Sequence, residues 1–314
     1  MTMKILVLGA GAIGAYYGAR LIEAGADVSF LLRAPRAAAL AAGGMRVKSA
    51  LGDFHAQVPT LQRIAAPATY DVVLLACKTY DLEAAIEAIA PAVEGGALVL
   101  PFLNGLAAYD KLDARFGKDR VLGGVAYIAT MMEKDGGIVH YGSNDVVVLG
   151  ARSEAGRGTA AALHALFAAT PGVRKLSDAI EQALWDKWVM IASAAMMNTL
   201  MRATVAGILA TRDGKALMVQ AMAECRAVAA ASGHPLADAV MQQMDGRLLD
   251  KKSEWAASMM RDIDQDAPRL EGDDVVGDML ARARAHGLAA PLLTAAFCHL
   301  QAYQGRQQRK SAAA

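Results

Sequence analysis

The 314-residue chain carries only three cysteines, Cys77, Cys225 and Cys298, far apart and in no C-x-x-C spacing. That excludes a disulfide framework and a cysteine zinc site, and the three read as buried, reduced thiols of a cytoplasmic protein. Six histidines form no H-x-x-x-H pair and no Cys/His cluster, so no metal is expected. Lysine plus arginine (32) and aspartate plus glutamate (31) nearly cancel, leaving a formal charge of +1. Without a strong field of one sign, neither nucleic acid nor an anionic membrane is an expected partner, and a substrate must be held by a local site. No uninterrupted apolar run reaches the ~18 residues of a membrane span. The apolar N-terminus turns glycine-rich too early for the core of a secretion signal.

What the chain does have is apolar bulk. It is 55% hydrophobic and 20% charged, and its length favours two domains over one. The first half alternates strand-like and helix-like segments: "KILVLG" (4–9), a helix from Ala12 to Ala24, "DVSFLLR" (27–33), and a hairpin-like excursion over 45–59. "DVVLLACK" (71–78) and "ALVLPFL" (97–103) are continuous apolar runs, the pattern of parallel strands covered on both faces. Between them lies the helix "DLEAAIEAIAPAV", with Asp81 at its predicted N-cap. Further strands are expected over 120–132, 137–142 and 145–150. The pattern predicts a doubly wound α/β domain.

Strand signals stop near Ser177. From Asp178 on, the sequence is rich in Ala, Met and Leu with helical periodicity, broken at "SGHP", "DAPRLEGDD" and "HGLAAP". The expected organisation is an α/β domain over 1–177, an all-helical domain over 178–305 and a flexible tail over 306–314 that has no apolar face to bury. Methionine-rich stretches such as "MVQAMAEC" fit either core or a homodimer interface.

Gly9-Ala10-Gly11-Ala12-Ile13-Gly14 follows a predicted strand and opens a helix. In that context G-x-G-x-x-G is a dinucleotide fingerprint. Gly9 serves the tight turn, Gly11 lets the backbone approach a pyrophosphate, Gly14 lets helix and strand pack, and the helix N-terminus offers N–H groups to phosphate. NAD binders of this Rossmann type place a carboxylate about 20 residues further on. Here the second strand ends "FLLRAPR", with Arg33 and Arg36 and no carboxylate, which favours the 2′-phosphate of NADP(H). Lys78 and Asn104-Gly105 each end an apolar strand at the edge where ligands bind in open α/β sheets. Lys78 either contacts phosphate or caps a strand; Asn104 either forms a turn or orients nicotinamide and substrate.

Lys187 is the anomaly of the second half. In "ALWDKWVMIASAAMMNTL" it shares one helical stripe with Ile180, Leu184 and Ile191, and a buried ammonium is costly unless it is paired. Asp186 points away from that stripe. Glu271, Asp273 and Asp274 are the candidate counter-charges, and spacing alone does not choose among them.

These pieces, in order, are "KILVLGAGAIG", "LLR", "ACK", "NG", "LWDK", "SMMRDI" at Ser258, and E-x-D-x-x-x-G at Glu271, Asp273 and Gly277 followed by "ARARAHG". In them the chain resembles the ketopantoate reductase (2-dehydropantoate 2-reductase) family along nearly its whole length. The resemblance implies a Rossmann-type domain followed by a helical one. It also implies that Gly9, Gly11, Ala12, Ile13, Gly14, Arg33 and Lys78 bind NADPH, with Asn104 between nicotinamide and substrate. Lys187 is then the general acid for a 2-oxoacid carbonyl, Glu271 a second essential group in the cleft, and Ser258 a ligand for the substrate carboxylate. The family usually carries asparagines four and eight residues after this lysine; here they are Ile191 and Ala195. Asn198 lies eleven residues on, roughly 16 Å along the axis, too far to stand in for them. Expected activities are therefore reduction of ketopantoate, reduction of a less polar 2-oxoacid, or cofactor binding without catalysis.

Overall fold

The computed structural model describes residues 2–65 and 68–312. They form two compact units. The first runs to Leu103 and resumes over Ala108–Ala183; the second takes Asn104–Ala107 and the chain from Leu184 on. The sequence places the boundary at 177/178, whereas the fold divides a few residues later, inside a continuous helix.

The first unit begins β1 (Lys4–Leu8), α1 (Ala12–Glu23), β2 (Asp27–Leu31), α2 (Ala34–Gly43), β3 (Met45–Lys48), β4 (Phe54–Ala56), β5 (Thr60–Leu61) and β6 (Val72–Leu75). It continues with α3 (Leu82–Glu94), β7 (Leu98–Pro101), α4 (Ala107–Phe116), β8 (Gly123–Met132), β9 (Ile138–Gly150), α5 (Arg157–Ala168) and β10 (Val173–Leu176). One sheet has the order β5-β2-β1-β6-β7, all parallel. Its central strands are buried along their length because helices cover both faces, which is why they read as continuous apolar runs. Gly18 lets α1 lie on the sheet, since a Cβ there would come within 2.5 Å of the Phe30 ring.

The later strands do not extend that sheet. β8 and β9 pair antiparallel as a long hairpin, and β9 is flanked by β10 and β3 in a second sheet that ends in β4. The expected hairpin over 45–59 exists as β3 and β4, but it belongs to this second sheet. Asp145 of β9 joins the layers: it accepts from the hydroxyls of Tyr16 and Tyr17 on α1, 2.9 Å each, and from Arg174 at 2.7 and 2.5 Å. Carboxylate and guanidinium are both buried, at 0% and 3% exposure.

The division between units falls inside α6 (Ile180–Met201). The second unit continues with α7 (Val205–Leu209), α8 (Gly214–Ala231), α9 (Asp238–Leu248), α10 (Ser258–Asp264), a π-helical turn (Asp273–Gly277), α11 (Asp278–Ala285) and α12 (Pro291–Ala312). α6 is apolar nearly all round, the signature of a central helix. Met218, Met222 and Cys225 of α8 are core. The Glu224 carboxylate accepts the N–H groups of Leu292 and Leu293 at 3.1 and 3.0 Å, satisfying two orphan donors at the start of α12.

The stretch expected to fray from 306 instead continues α12 to Ala312. Gln307 is buried and donates to Asp266, and Lys310 pairs with the same carboxylate at 2.7 Å. The last two residues of the expected tail lie outside the described residues. The three cysteines are free, but only Cys225 is buried; Cys77 is half-buried and Cys298 exposed. Among the described residues no helix is long and apolar enough to cross a membrane, and no three His, Cys, Asp or Glu side chains are placed to hold a metal.

Candidate active site

In the first unit the glycine motif forms the turn between β1 and α1. Gly9 has φ +92°, and its N–H bonds the Leu31 carbonyl at 3.2 Å. A Cβ at Gly14 would lie 2.0 Å from the Gly9 carbonyl oxygen, so this position admits only glycine. Gly11 is different. Nothing lies within 4 Å of where its Cβ would be, it is the N-cap of α1 without a side-chain cap, and the first turn carries no acid. An open, uncapped helix N-terminus with a bare backbone approach fits a pyrophosphate. Ala12 and Ile13 are half-buried in the first turn.

Around this loop the two arginines part company. Arg36 turns inward: its Nε donates to the Ala10 carbonyl and one Nη to that of Gly136, each at 3.0 Å. Burial pulls this guanidinium below its ordinary value. Arg36, counted from sequence as a cation waiting for phosphate, therefore clamps the glycine loop to the β8–β9 turn. Arg33 stays 73% exposed and pairs with Asp81 at 2.9 Å. Asp81 does occupy the N-cap position of α3, but its side chain makes no capping bond. Lys78 is half-buried just past β6, where the chain enters a short 3-10 turn over Thr79–Asp81.

In the second unit, α6 carries Lys187 in a half-buried position. Desolvation brings its ammonium down from 10.5 to about 8, and the Glu271 carboxylate pushes back up. Glu271 is 7% exposed. Of the three carboxylates that spacing left open, Glu271 is thus the charge that acts on the lysine. Asp273 is exposed, and partial desolvation with Asp274 beside it raises its carboxyl above the ordinary range.

Glu271 sits two residues before the first residue of the π-helical turn. Such turns leave backbone groups out of the α-helical ladder and recur at functional sites. Here the Trp188 indole N–H, one residue past the lysine, donates to the Val275 carbonyl at 3.0 Å. Gly105, at φ +86°, packs so close that a Cβ would lie 2.4 Å from the Asp274 carbonyl oxygen. Asn104 is half-buried beside it and belongs to the same unit as Lys187 and Glu271.

The second unit places the remaining candidates on its other helices. Ser258 is exposed at the first position of α10. Asn198 holds that helix in place: its carbonyl accepts the Ala257 N–H at 3.0 Å and its amide donates to Ala203 at 2.7 Å. Ile191 is half-buried one turn beyond Lys187, and Ala195 is buried. Sequence reasoning missed Trp188 and the partnership of Asp81. The aromatic adjacent to the lysine was a visible signal for the first, and nothing local marked the second.

Two sequence models cover most of the chain: ketopantoate reductase PanE/ApbA matches residues 5–154, and ketopantoate reductase PanE/ApbA C terminal matches residues 179–304. The chain belongs to the ketopantoate reductase family. It is 33% identical over 306 residues to the uncharacterized oxidoreductase YkpB of Bacillus subtilis, covering 97% of this chain and 100% of that one. It is 27% identical over 312 residues to a 2-dehydropantoate 2-reductase of Nostoc, covering 97% and 96%. The crystal structure of a PanE/ApbA family ketopantoate reductase from Ralstonia eutropha superposes with a TM-score of 0.86 at 28% identity, over 98% of this chain and all of that one. As a family member the chain is an NADP-dependent oxidoreductase acting on CH–OH groups, with NADP(H) as its cofactor.

Proposed function

We propose that this ketopantoate reductase family member reduces the C2 carbonyl of a 2-oxoacid, with 2-dehydropantoate, giving pantoate for coenzyme A synthesis, as the first candidate. Bound NADPH supplies the hydride. The observation that carries this reading is the desolvated Lys187, held near pKa 8 with Glu271 as its counter-charge. A lysine at its ordinary value gives up a proton reluctantly near neutral pH; one lowered to about 8 is still mostly protonated there and is a better acid. Its positive charge also attracts an anionic substrate and stabilises the negative charge that develops on the carbonyl oxygen. Glu271 keeps the lysine protonated. In this reading Gly9, Gly11, Ala12, Ile13, Gly14, Arg33, Lys78 and Asn104 hold the cofactor. Asn104, Ser258 and Glu271 orient the substrate.

A second reading keeps the chemistry and changes the substrate. Ile191 and Ala195 present hydrocarbon on the helix of Lys187, which favours a branched or longer 2-oxoacid without the hydroxyl of ketopantoate. Steady-state kinetics with NADPH over a panel of 2-oxoacids separates the two. The first reading expects ketopantoate to show the highest kcat/KM, and the second expects a hydroxyl-free acid such as 2-oxoisovalerate to exceed it. Lack of turnover with every 2-oxoacid rejects both.

A further inference from the structure

Arg33 lies two residues past β2, at the N-cap of α2, and Asp81 follows β6 in the 3-10 turn at Thr79–Asp81. Those two strands lie on either side of β1, roughly 10 Å apart at the usual strand spacing. The 2.9 Å ion pair between them therefore reaches across the end of β1, where Gly9 begins the glycine turn. A dinucleotide on this turn lies with its adenosine half toward the end of β2, the position that reads the 2′ substituent of the ribose. The Arg33 guanidinium at that position is thus already engaged by a carboxylate of the same chain.

We propose that Asp81 is a specificity-determining residue that weakens this chain's preference for NADPH over NADH by competing with the 2′-phosphate for Arg33. The competition is unequal between the two cofactors. NADPH gains from Arg33 only what exceeds the lost Arg33–Asp81 pair, and its phosphate is placed near a second negative charge. NADH has no phosphate, so the pair persists when it binds. The other arginine of the strand end does not relieve the competition, because two of its guanidinium nitrogens are committed to the carbonyls of Ala10 and Gly136.

Two substitutions at Asp81 separate its charge from the start of α3. Asp81 makes no side-chain capping bond to α3, and asparagine and serine rank with aspartate at an N-cap. Asp81→Asn and Asp81→Ser therefore remove the charge while keeping the helix start. An exposed ion pair of this kind contributes modestly, so removing Asp81 is expected to raise the ratio of Kd for NADH to Kd for NADPH about three- to fivefold. The effect is expected to shrink at high salt, where exposed charges are screened.

The test is equilibrium titration of the full chain with NADPH and with NADH, followed by nucleotide fluorescence, for wild type, Asp81→Asn, Asp81→Ser, Arg33→Ala and the Arg33→Ala/Asp81→Asn pair. Support is a raised ratio in both Asp81 variants that disappears in the Arg33→Ala background. A ratio that stays constant or falls in the Asp81 variants overturns the proposal, as does the same rise without Arg33. Failure of wild type to bind either dinucleotide overturns the cofactor assignment as well, which distinguishes the two failures.

Discussion

The indole N–H of Trp188 donates to the carbonyl of Val275 at 3.0 Å, tying the helix that carries Lys187 to the π-helical turn that follows Glu271. The bond fixes the two charged residues through their neighbours. Trp188→Phe keeps the aromatic bulk and removes the donor, at a cost of about 0.5–1.5 kcal/mol. The expected phenotype is a lower unfolding free energy in urea together with a reduced kcat, since a catalytic group displaced by about 1 Å loses up to 100-fold in rate. NADPH affinity is expected to remain at the wild-type value. A variant that loses stability but keeps kcat would show that Trp188 supports the fold alone.

Replacing the proposed proton donor gives a sharper outcome. Lys187→Ala is expected to lower kcat by about 10²–10⁴, the range for a lost general acid, with NADPH binding intact. Single-turnover measurements with saturating NADPH check this directly. Turnover equal to wild type removes Lys187 from the mechanism.

The pH profile follows from the same residue. With Lys187 as the proposed general acid, the ammonium is the active form, so kcat/KM is expected to be level below about pH 8 and to fall tenfold per unit above it, given a lysine lowered to about 8. Glu271 is the influence that raises this value, so Glu271→Gln moves the break to lower pH. Stability has the opposite sense. The unfolded chain holds the lysine proton up to 10.5 and the folded chain only to about 8, so the lysine's destabilising contribution is complete below pH 8. It is relieved as pH rises between the two values. The difference in unfolding free energy between wild type and Lys187→Met, followed from pH 7 to pH 10, isolates that slope.

Buried charge in the first unit carries a separate prediction. Asp145 is fully buried between two tyrosine hydroxyls and the Arg174 guanidinium. Asp145→Ala strands a guanidinium that is 3% exposed, and breaking such a pair from one side costs about 3–5 kcal/mol. Urea denaturation reads this loss; a change below 1 kcal/mol would falsify the view that Asp145 is the junction of α1 with the second sheet.

How much of this was legible in sequence depends on the range of the interaction. The Gly9–Gly14 turn is local: tight turn, open cradle and helix start all lie within six residues, and the structure places them as the spacing implies. The central parallel strands were legible because burial on both faces removes polar residues. The second sheet was not, because β3 pairs with β9 across about half of the first unit, and alternation does not name a partner. Arg33 and Arg36 look equivalent in "FLLRAPR", yet remote carbonyls claim one and Asp81 the other. Likewise E-x-D-x-x-x-G leaves three carboxylates open, and only the fold singles out Glu271 as the charge acting on Lys187.

The second proposed reading rests on Ile191 and Ala195, and exchanging them tests the two readings against each other. Ile191 is half-buried one turn past Lys187, so an asparagine there presents its amide on the lysine's side of α6. Ala195 is 3% exposed, and a larger side chain at that depth risks an overpacking cost of about 1–3 kcal/mol. Ile191→Asn is therefore the informative single change. A hydrogen bond to a substrate hydroxyl contributes about 0.5–1.5 kcal/mol, so kcat/KM for ketopantoate is expected to rise about two- to tenfold. With 2-oxoisovalerate it is expected to fall, because that substrate leaves the new amide unpaired in an apolar wall. The ratio of the two kcat/KM values is independent of enzyme concentration and of any uniform loss of stability. If that ratio does not move, Ile191 is core rather than pocket, and the preference for a less polar substrate loses its basis.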